Sequence, residues 1–223
     1  IVCCFSPDGG ESWSQTLVIA SEGLDKRNPA VVELSNGQLL IAYHSHEVND
    51  FSGSTVRIRR TPKAPNNLLI RRSDDGGETW SQPWTIHSID REAQGIDARA
   101  SAVEIVPYRM IELPDGTILL GYHADVYGDD EVLPTAAYLS RSRDGGQTWT
   151  SPTYISAHSE TALLWLPSGK LLAALRHDNP QEPGLSIAES YDLGYTWSAP
   201  IPVTGSVEHP GDLLRLKDGR ILL

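Results

Sequence analysis

Charged and imidazole side chains recur at fixed distances from glycine turns, and these residue types could carry chemistry. Seven residues after such a turn stand His44, His123 and Arg176, and nine or ten residues before one stand Arg27 and Glu160. Arginine binds anions through a planar, permanently charged fork, and glutamate can act as an acid or a base. The spacing predicts that Glu160 lies beside Arg176, and Arg27 beside His44. From this pattern alone, a functional site and a solvated structural ion pair are both open interpretations.

The elements that position these residues are indicated by an eight-residue turn, Ser-x-Asp-x-Gly-x-Thr/Ser-Trp, which occurs four times. Its aspartate can accept hydrogen bonds from backbone N–H groups a few residues on, and its glycine can adopt a positive φ. Its tryptophan can anchor the turn by burying a large ring. We therefore predict a structural role for the turn aspartates, which are Asp8, Asp75, Asp144 and Asp192.

A longer repeat surrounds this turn. Two apolar runs joined by Asn-Gly, Asp-Gly or Ser-Gly predict a β-hairpin, a third run leads into the turn, and a fourth follows its tryptophan. Each unit is thus an antiparallel sheet of four strands, A-B-C-D, which is one blade of a β-propeller. We predict an all-β fold, with residues 1–223 forming one incomplete propeller domain of about three and a half blades. The expected blade segments are 1–20, 27–88, 105–156, 160–203 and 209–223.

Strand order separates the two ends of every blade. The A-B hairpin turn and the C-D turn fall at one end, whereas the start of strand A and the end of strand B fall at the other. Arg27 and Glu160 precede strands A, and His44, His123 and Arg176 end strands B. We therefore expect these side chains at the end opposite the aspartate turns, on a rigid scaffold of the kind that often carries function.

The repeated turn resembles the Asp box of the sialidase (neuraminidase) superfamily, whose members are β-propellers, and the resemblance covers essentially the whole chain. It implies a complete fold of six blades. Arg27-Asn28-Pro29 is similar to the Arg-Ile-Pro of non-viral sialidases, with asparagine replacing isoleucine. Glu160, followed by an apolar strand, Pro-Ser-Gly169 and a second strand ending at Arg176, matches the family's Glu-to-Arg pattern. His44-Ser-His46 departs from the Glu-Gly-Arg of many sialidases.

The resemblance also implies roles. Arg27 and Arg176 would be two of three arginines that bind the sialic acid carboxylate, and Glu160 the base that activates a tyrosine nucleophile. Asp50 would be the acid/base, with Glu47 as the second carboxylate in that loop. His44 and His123 would lie at the substrate rim, where hydrogen bonding is expected rather than metal ligation. The third arginine and the nucleophile would lie beyond Leu223, so these residues alone should be inactive.

Composition narrows the possible partners. A formal net charge of −11 argues against a general nucleic-acid or membrane-surface binder, and no apolar run is long enough to span a bilayer. The adjacent cysteines Cys3 and Cys4 support neither a disulfide framework nor a zinc site. We expect no cofactor, no metal, and a sialoglycoconjugate or other glycan as substrate. The resemblance favours a secreted or periplasmic location.

Three functional hypotheses follow. The first is a retaining exo-α-sialidase. The second is a propeller hydrolase or lyase that acts on another glycan through the same rim. The third is a non-catalytic propeller that binds glycans or protein. An arginine and a tyrosine on the same rim, supplied by the part of the protein beyond Leu223, would favour the first hypothesis, and their absence would favour the others.

Overall fold

The structure is a computed structural model and describes residues 1–21, 25–46, 48–50, 57–58, 67–86, 102–127, 132–177, 184–205 and 210–223. In these ranges the regular elements are β-strands, and paired strands run antiparallel. The all-β fold class expected from the sequence is confirmed. None of the described residues belongs to a helix long and apolar enough to cross a membrane.

The strands succeed one another as hairpins along the chain. In chain order, the first eight described strands are β1 (Val2–Cys3), β2 (Leu17–Val18), β3 (Asp25–Glu33), β4 (Leu39–His46), β5 (Val48–Asp50), β6 (Arg57–Ile58), β7 (Asn67–Ser73) and β8 (Trp84–Thr85). Next come β9 (Ala102–Glu112), β10 (Ile118–Tyr127), β11 (Val132–Ser142) and β12 (Thr153–Ser156). The last are β13 (Thr161–Trp165), β14 (Leu171–His177), β15 (Gly184–Ser190), β16 (Ile201–Pro202), β17 (Leu214–Arg215) and β18 (Ile221–Leu222).

The described strands assemble into blades. The four-stranded sheets have the orders β3-β4-β7-β8, β9-β10-β11-β12 and β13-β14-β15-β16, and β1-β2, β5-β6 and β17-β18 form two-stranded sheets. The first strands of successive sheets are in contact, β3 with β9 and β9 with β13. The sheets therefore fan around their innermost strands, as in a partial β-propeller.

The core lies between the sheets, so each central strand is buried on both faces. In β4, Leu40 and Ala42 belong to the apolar cluster shared with the next sheet. Ile41 and Tyr43 point the other way, into the cluster that contains Ile19. All four β4 side chains are at most 3% exposed. This two-sided burial explains why the central strands are continuous apolar runs rather than alternating ones.

The Asp boxes close the turns between the third and fourth strands of each blade. In the second box, the backbone N–H of Thr79 donates to Asp75 Oδ1 at 2.9 Å, and the Gly77 N–H donates to Ser73 Oγ at 2.8 Å. The indole N–H of Trp80 donates to the Gly77 carbonyl at 3.0 Å. The other boxes repeat the Asp-to-backbone bond at 2.9 Å. The predicted structural role of the aspartates is confirmed.

The third Asp box also packs directly against the preceding blade. Gly146, in the third box, has φ +85°, and a Cβ built on it would lie 2.7 Å from Leu40 Cδ1 of the preceding sheet. Its carbonyl accepts a hydrogen bond from Trp84 Nε1 of that sheet at 3.1 Å. The box thus needs glycine both for its backbone conformation and for the close approach of the next blade.

We expect the boxes to make stability depend on pH in acid. Hydrogen bonds from Thr79 and Ser73 lower the pKa of Asp75 to about 2, and bonds from Ser12 and Ser6 do the same for Asp8. A carboxylate whose pKa is lowered in the fold contributes its full stabilisation at pH values above its unfolded pKa, near 3.8. This stabilisation is lost as the pH falls toward the folded pKa, near 2. The melting temperature should therefore drop over this window.

The matched variant is Asp75→Asn, which keeps an acceptor oxygen but does not titrate. Its melting temperature should lie below that of the parent at pH 6, and the difference should shrink as pH approaches 2. Thermal unfolding followed by circular dichroism measures both curves. A difference that stays constant from pH 6 to pH 2 would contradict a titrating role for Asp75.

Candidate functional site

Strand register places Arg27 at the end of its blade that lies away from the Asp box. Arg27 pairs with His44, whereas Leu39, at the other end of β4, pairs with Ser73 of the box. The hairpin turn at the box end also contacts it, since Gln38 Nε2 donates to Asp74 Oδ1 at 2.6 Å. The separation of ends that strand order predicts is present in this blade.

A β-bulge sets the approach of Arg27 to the rim. Between the pairs Arg27–His44 and Ala30–Ala42, Asn28 and Pro29 together stand opposite the single residue Tyr43. Asn28 adopts the left-handed conformation, with φ 51°. Asparagine tolerates this region better than a β-branched residue does. Such bulges re-aim side chains near functional sites, and here the bulge directly follows Arg27.

The two rim histidines are buried. His44 is 3% exposed and His123 is 7% exposed. His123 pairs with Val106 of β9, in the same kind of position that His44 has opposite Arg27. Both rings therefore offer little surface to a ligand in this structure, and their contribution to substrate binding stays a prediction.

Glu160 and Arg176 form the ion pair that the repeat spacing predicts. Arg176 Nη1 donates to Glu160 Oε2 at 3.0 Å, and the Arg176 N–H donates to the Glu160 carbonyl at 3.2 Å. The side chains are 28% and 17% exposed for Arg176 and Glu160, so the pair is largely withdrawn from solvent. The predicted adjacency is confirmed. Charged groups held at this depth can bind a substrate anion or move a proton.

Two further histidines lie close to this pair along the chain and were not found from the sequence. His158 Nε2 lies 2.9 Å from His177 Nε2, which in turn lies 2.9 Å from Ser186 Oγ. His177 directly follows Arg176, and that adjacency was the available sequence signal. The position of His158 depends on the loop before β13, which the repeat does not specify.

Tyr108 is the third group that the sequence did not reveal. Its hydroxyl donates to the Gly211 carbonyl at 2.8 Å, and its ring packs against the cluster formed by Ala162, Leu172, Ala174 and Leu213. Burial, followed by the negative charges of Glu160 and Asp212, raises the pKa of this hydroxyl to about 12. Tyr108 therefore lies in the electrostatic environment of the Glu160–Arg176 pair.

The predicted acid/base falls in a segment whose side chains lie outside the described residues. The backbone of Asp50 ends β5 and pairs with Arg57 of β6, while its carboxylate is not described. Glu47, the alternative, and the side chain of His46 also lie outside the described part. Asp50 follows His44 by six residues, so it belongs to the hairpin that extends β4 at the rim.

Comparison with known proteins identifies the family. The sequence profile described as BNR repeat-like domain matches residues 1–223. The chain belongs to the BNR repeat-like domain family. A sialidase of Paraclostridium sordellii is 23% identical to this BNR-repeat chain over 210 residues, which make up 91% of the chain and 50% of that protein. The chain thus spans about half the length of this relative.

Solved structures with the same fold include two kinds of glycosidase. The Hadza microbial sialidase matches this BNR-repeat chain with a TM-score of 0.65 and 22% identity, over 92% of the chain and 40% of its own length. The α-L-arabinanase of Penicillium chrysogenum, complexed with arabinobiose, matches with a TM-score of 0.55 and 21% identity, over 82% and 50%. At these identities the likeness establishes the fold, and the sialidase-type propeller is confirmed.

The described rim of this BNR-repeat chain combines an ion pair, a histidine pair and a half-buried phenol. Among the described residues, no group of three or more His, Cys, Asp or Glu side chains is arranged to hold a metal ion. Arginine, glutamate and histidine are side chains that can bind anions and exchange protons. The rim can therefore hold a carboxylate with arginine and position a base beside it.

Proposed function

We propose that the protein carrying these residues is a retaining exo-α-sialidase, which removes terminal sialic acid from glycoconjugates. The observation that carries the proposal is the Glu160–Arg176 contact of 3.0 Å, which occupies the rim position of the Glu-to-Arg pattern of sialidases. Support also comes from Arg27, which lies near the start of its blade's first strand, as Glu160 directly precedes the first strand of another blade. The membership in the BNR-repeat family is consistent with this activity.

The proposed chemistry follows from the charge of the substrate. Sialic acid carries a carboxylate on its anomeric carbon, and Arg27 and Arg176 would bind it through their guanidinium forks. A carboxylate nucleophile would be repelled by that anion, so a tyrosine serves instead, an exception among glycosidases. Glu160 would remove the phenolic proton, and Asp50 would protonate the departing glycan. Two displacements at the anomeric carbon give net retention.

A second candidate function is a glycosidase that acts on a different glycan. The arabinanase likeness favours it, because that enzyme shares the fold with a TM-score of 0.55 and acts on a sugar without a carboxylate. The departure at His44-Ser-His46 from the Glu-Gly-Arg of many sialidases also points to an altered subsite. In this case the Glu160–Arg176 pair would position a carboxylate for an uncharged substrate.

The deciding experiment gives the natural full-length protein an aryl α-sialoside and an aryl α-L-arabinofuranoside in parallel. Release of α-sialic acid as the first product, seen by proton NMR before mutarotation, supports the proposed activity. Turnover of the arabinoside alone would replace it with the second candidate. Cleavage of neither would favour a binding propeller.

Replacing Arg27 by alanine should weaken binding of any sialoside. Loss of a charge-assisted hydrogen-bonded pair costs about 1.5–3 kcal/mol, or roughly a 10- to 150-fold rise in KM and in the Kd of free N-acetylneuraminic acid. Arg72→Ala is the matched control, because Arg72 pairs with Asp74 at 3.3 Å at the Asp-box end of the same sheet. Equal weakening by both substitutions would place Arg27 outside the binding site.

A further inference from the structure

We propose that Tyr108 is a positioning residue, which ties the Glu160–Arg176 pair to the segment that enters the β17–β18 hairpin, and that it is not the nucleophile. The inference deepens the proposed function, because it concerns the same site. It rests on a β-bulge, a packing contact and a hydrogen bond that join three successive blades.

The bulge occupies the same place in the repeat as the one beside Arg27. In β9, Gly121 pairs with Arg109 and Tyr122 pairs with Pro107, which leaves Tyr108 as the extra residue. Tyr108 stands eight residues before Gly116, as Pro29 stands eight residues before Gly37. Because a bulge turns its extra residue out of the ladder, it can direct the phenol toward the next blade.

The Tyr108 ring packs against the next blade, on the face that also carries the Glu160–Arg176 ion pair. Side chains two residues apart along an extended chain point the same way. Glu160 therefore lies on the same face as Ala162 of β13, and Arg176 lies on the same face as Ala174 of β14. Ala162 and Ala174 are paired across β13 and β14, and both belong to the cluster against which Tyr108 packs. The phenol ring therefore packs on the same face of this blade as the pair, against the residues next to it on that face.

The Tyr108 hydroxyl binds the segment that leads into a third blade. It donates to the Gly211 carbonyl at 2.8 Å, and Leu213, two residues further on, belongs to the same apolar cluster. The neighbouring Arg109 reinforces this contact, since its Nη1 lies 3.1 Å from Asp212 Oδ2. Residues 211–213 are thereby held against the blade that carries Glu160 and Arg176.

These contacts also indicate that Tyr108 does not act as a nucleophile. A nucleophilic phenol needs a base as its hydrogen-bond acceptor, and a backbone carbonyl cannot take the proton. Its raised pKa, near 12, agrees with a hydroxyl that stays protonated. Tyr108, whose hydroxyl lies in the field of Glu160, is thus structural support for the base and not its partner in catalysis.

The test uses three variants of the natural full-length protein. Tyr108→Phe keeps the ring and removes the hydroxyl, and Tyr108→Ala removes both. Tyr122→Phe is the matched control, because its hydroxyl lies 3.2 Å from Ser140 Oγ in the same sheet but within a different cluster. Amide hydrogen exchange of residues 211–213 is measured by mass spectrometry, together with the Kd of free N-acetylneuraminic acid and the residue labelled by a fluorosialosyl trapping reagent.

We expect Tyr108→Phe to accelerate exchange at 211–213 at least fivefold, to change the Kd less than threefold, and to leave the labelled residue unchanged. Tyr108→Ala should raise the Kd at least tenfold, so the conservative variant rescues binding. Tyr122→Phe should alter neither quantity. Unchanged exchange in Tyr108→Phe, or a label on Tyr108, would overturn the proposal. If the parent binds no sialic acid, the proposed function fails, and the exchange measurement still decides whether Tyr108 fixes residues 211–213.

Discussion

Replacing Glu160 by glutamine is expected to reduce kcat on sialosides by about 10²–10⁴-fold, the usual loss when a general base is removed. Glutamine retains an oxygen that can accept the hydrogen bond from Arg176 Nη1, now 3.0 Å from Glu160 Oε2. The geometry of the pair should therefore persist while the basic group disappears. Ligand affinity should change much less than kcat, because Arg176 keeps its charge and its place.

A matched control for this substitution lies in the same sheet. Glu189 accepts a hydrogen bond from Lys170 Nζ at 2.9 Å, near the Asp-box end of the blade. Glu189→Gln therefore removes the same charge from a similar ion pair, far from the rim. Steady-state kinetics of both variants, with melting temperatures to verify folding, separates the two roles. Activity of Glu160→Gln within tenfold of the parent would exclude Glu160 as the base.

The sequence predicted the parts of this molecule that repeat. The Asp boxes recur at full length, and each has a local cause, since the hydrogen bonds within a box join residues at most four positions apart. The pairing of Glu160 with Arg176 followed from counting residues from a hairpin glycine, because β13 and β14 pair without a register shift. Where strands pair without a register shift, counting residues from the hairpin turn gives the correct cross-strand partners.

What the sequence did not predict arises where the ladder is irregular or where blades meet. Counting from Gly116 does not reveal that a bulge ejects Tyr108, since Pro107 is as compatible with a regular edge strand as with a bulge. The contact from Tyr108 to Gly211 joins residues 103 positions apart in different blades. The contact between His158 and His177 depends likewise on a loop outside the strand pattern. Packing between repeats is set by side-chain volumes rather than by the repeat itself.

The second large effect is expected from Asp50→Ala, and it should depend on the leaving group. A natural sialoside releases a sugar hydroxyl, which is a poor leaving group unless an acid protonates it. An aryl sialoside releases a stabilised phenolate and needs little protonation. If Asp50 is the acid, kcat/KM should fall about 10²–10⁴-fold on a natural sialoside and less than about tenfold on an aryl one.

The backbone is compatible with this role. Arg27 pairs with His44, and Asp50 follows His44 by six residues within the hairpin of β5 and β6. Six extended residues span about 20 Å, so the chain keeps the Asp50 backbone within that distance of His44.

Glu47→Ala is the natural comparison, because Glu47 is the other carboxylate between His46 and Asn66. Both variants should be assayed with sialyllactose and with an aryl sialoside, and the ratio of the two kcat/KM losses is the quantity that decides. A large ratio for Asp50→Ala with a ratio near one for Glu47→Ala assigns the acid to Asp50. Equal losses on both substrates after Asp50→Ala would exclude it, because removing a proton donor must penalise the poorer leaving group more. A large ratio for Glu47→Ala would then move the acid three residues toward β4.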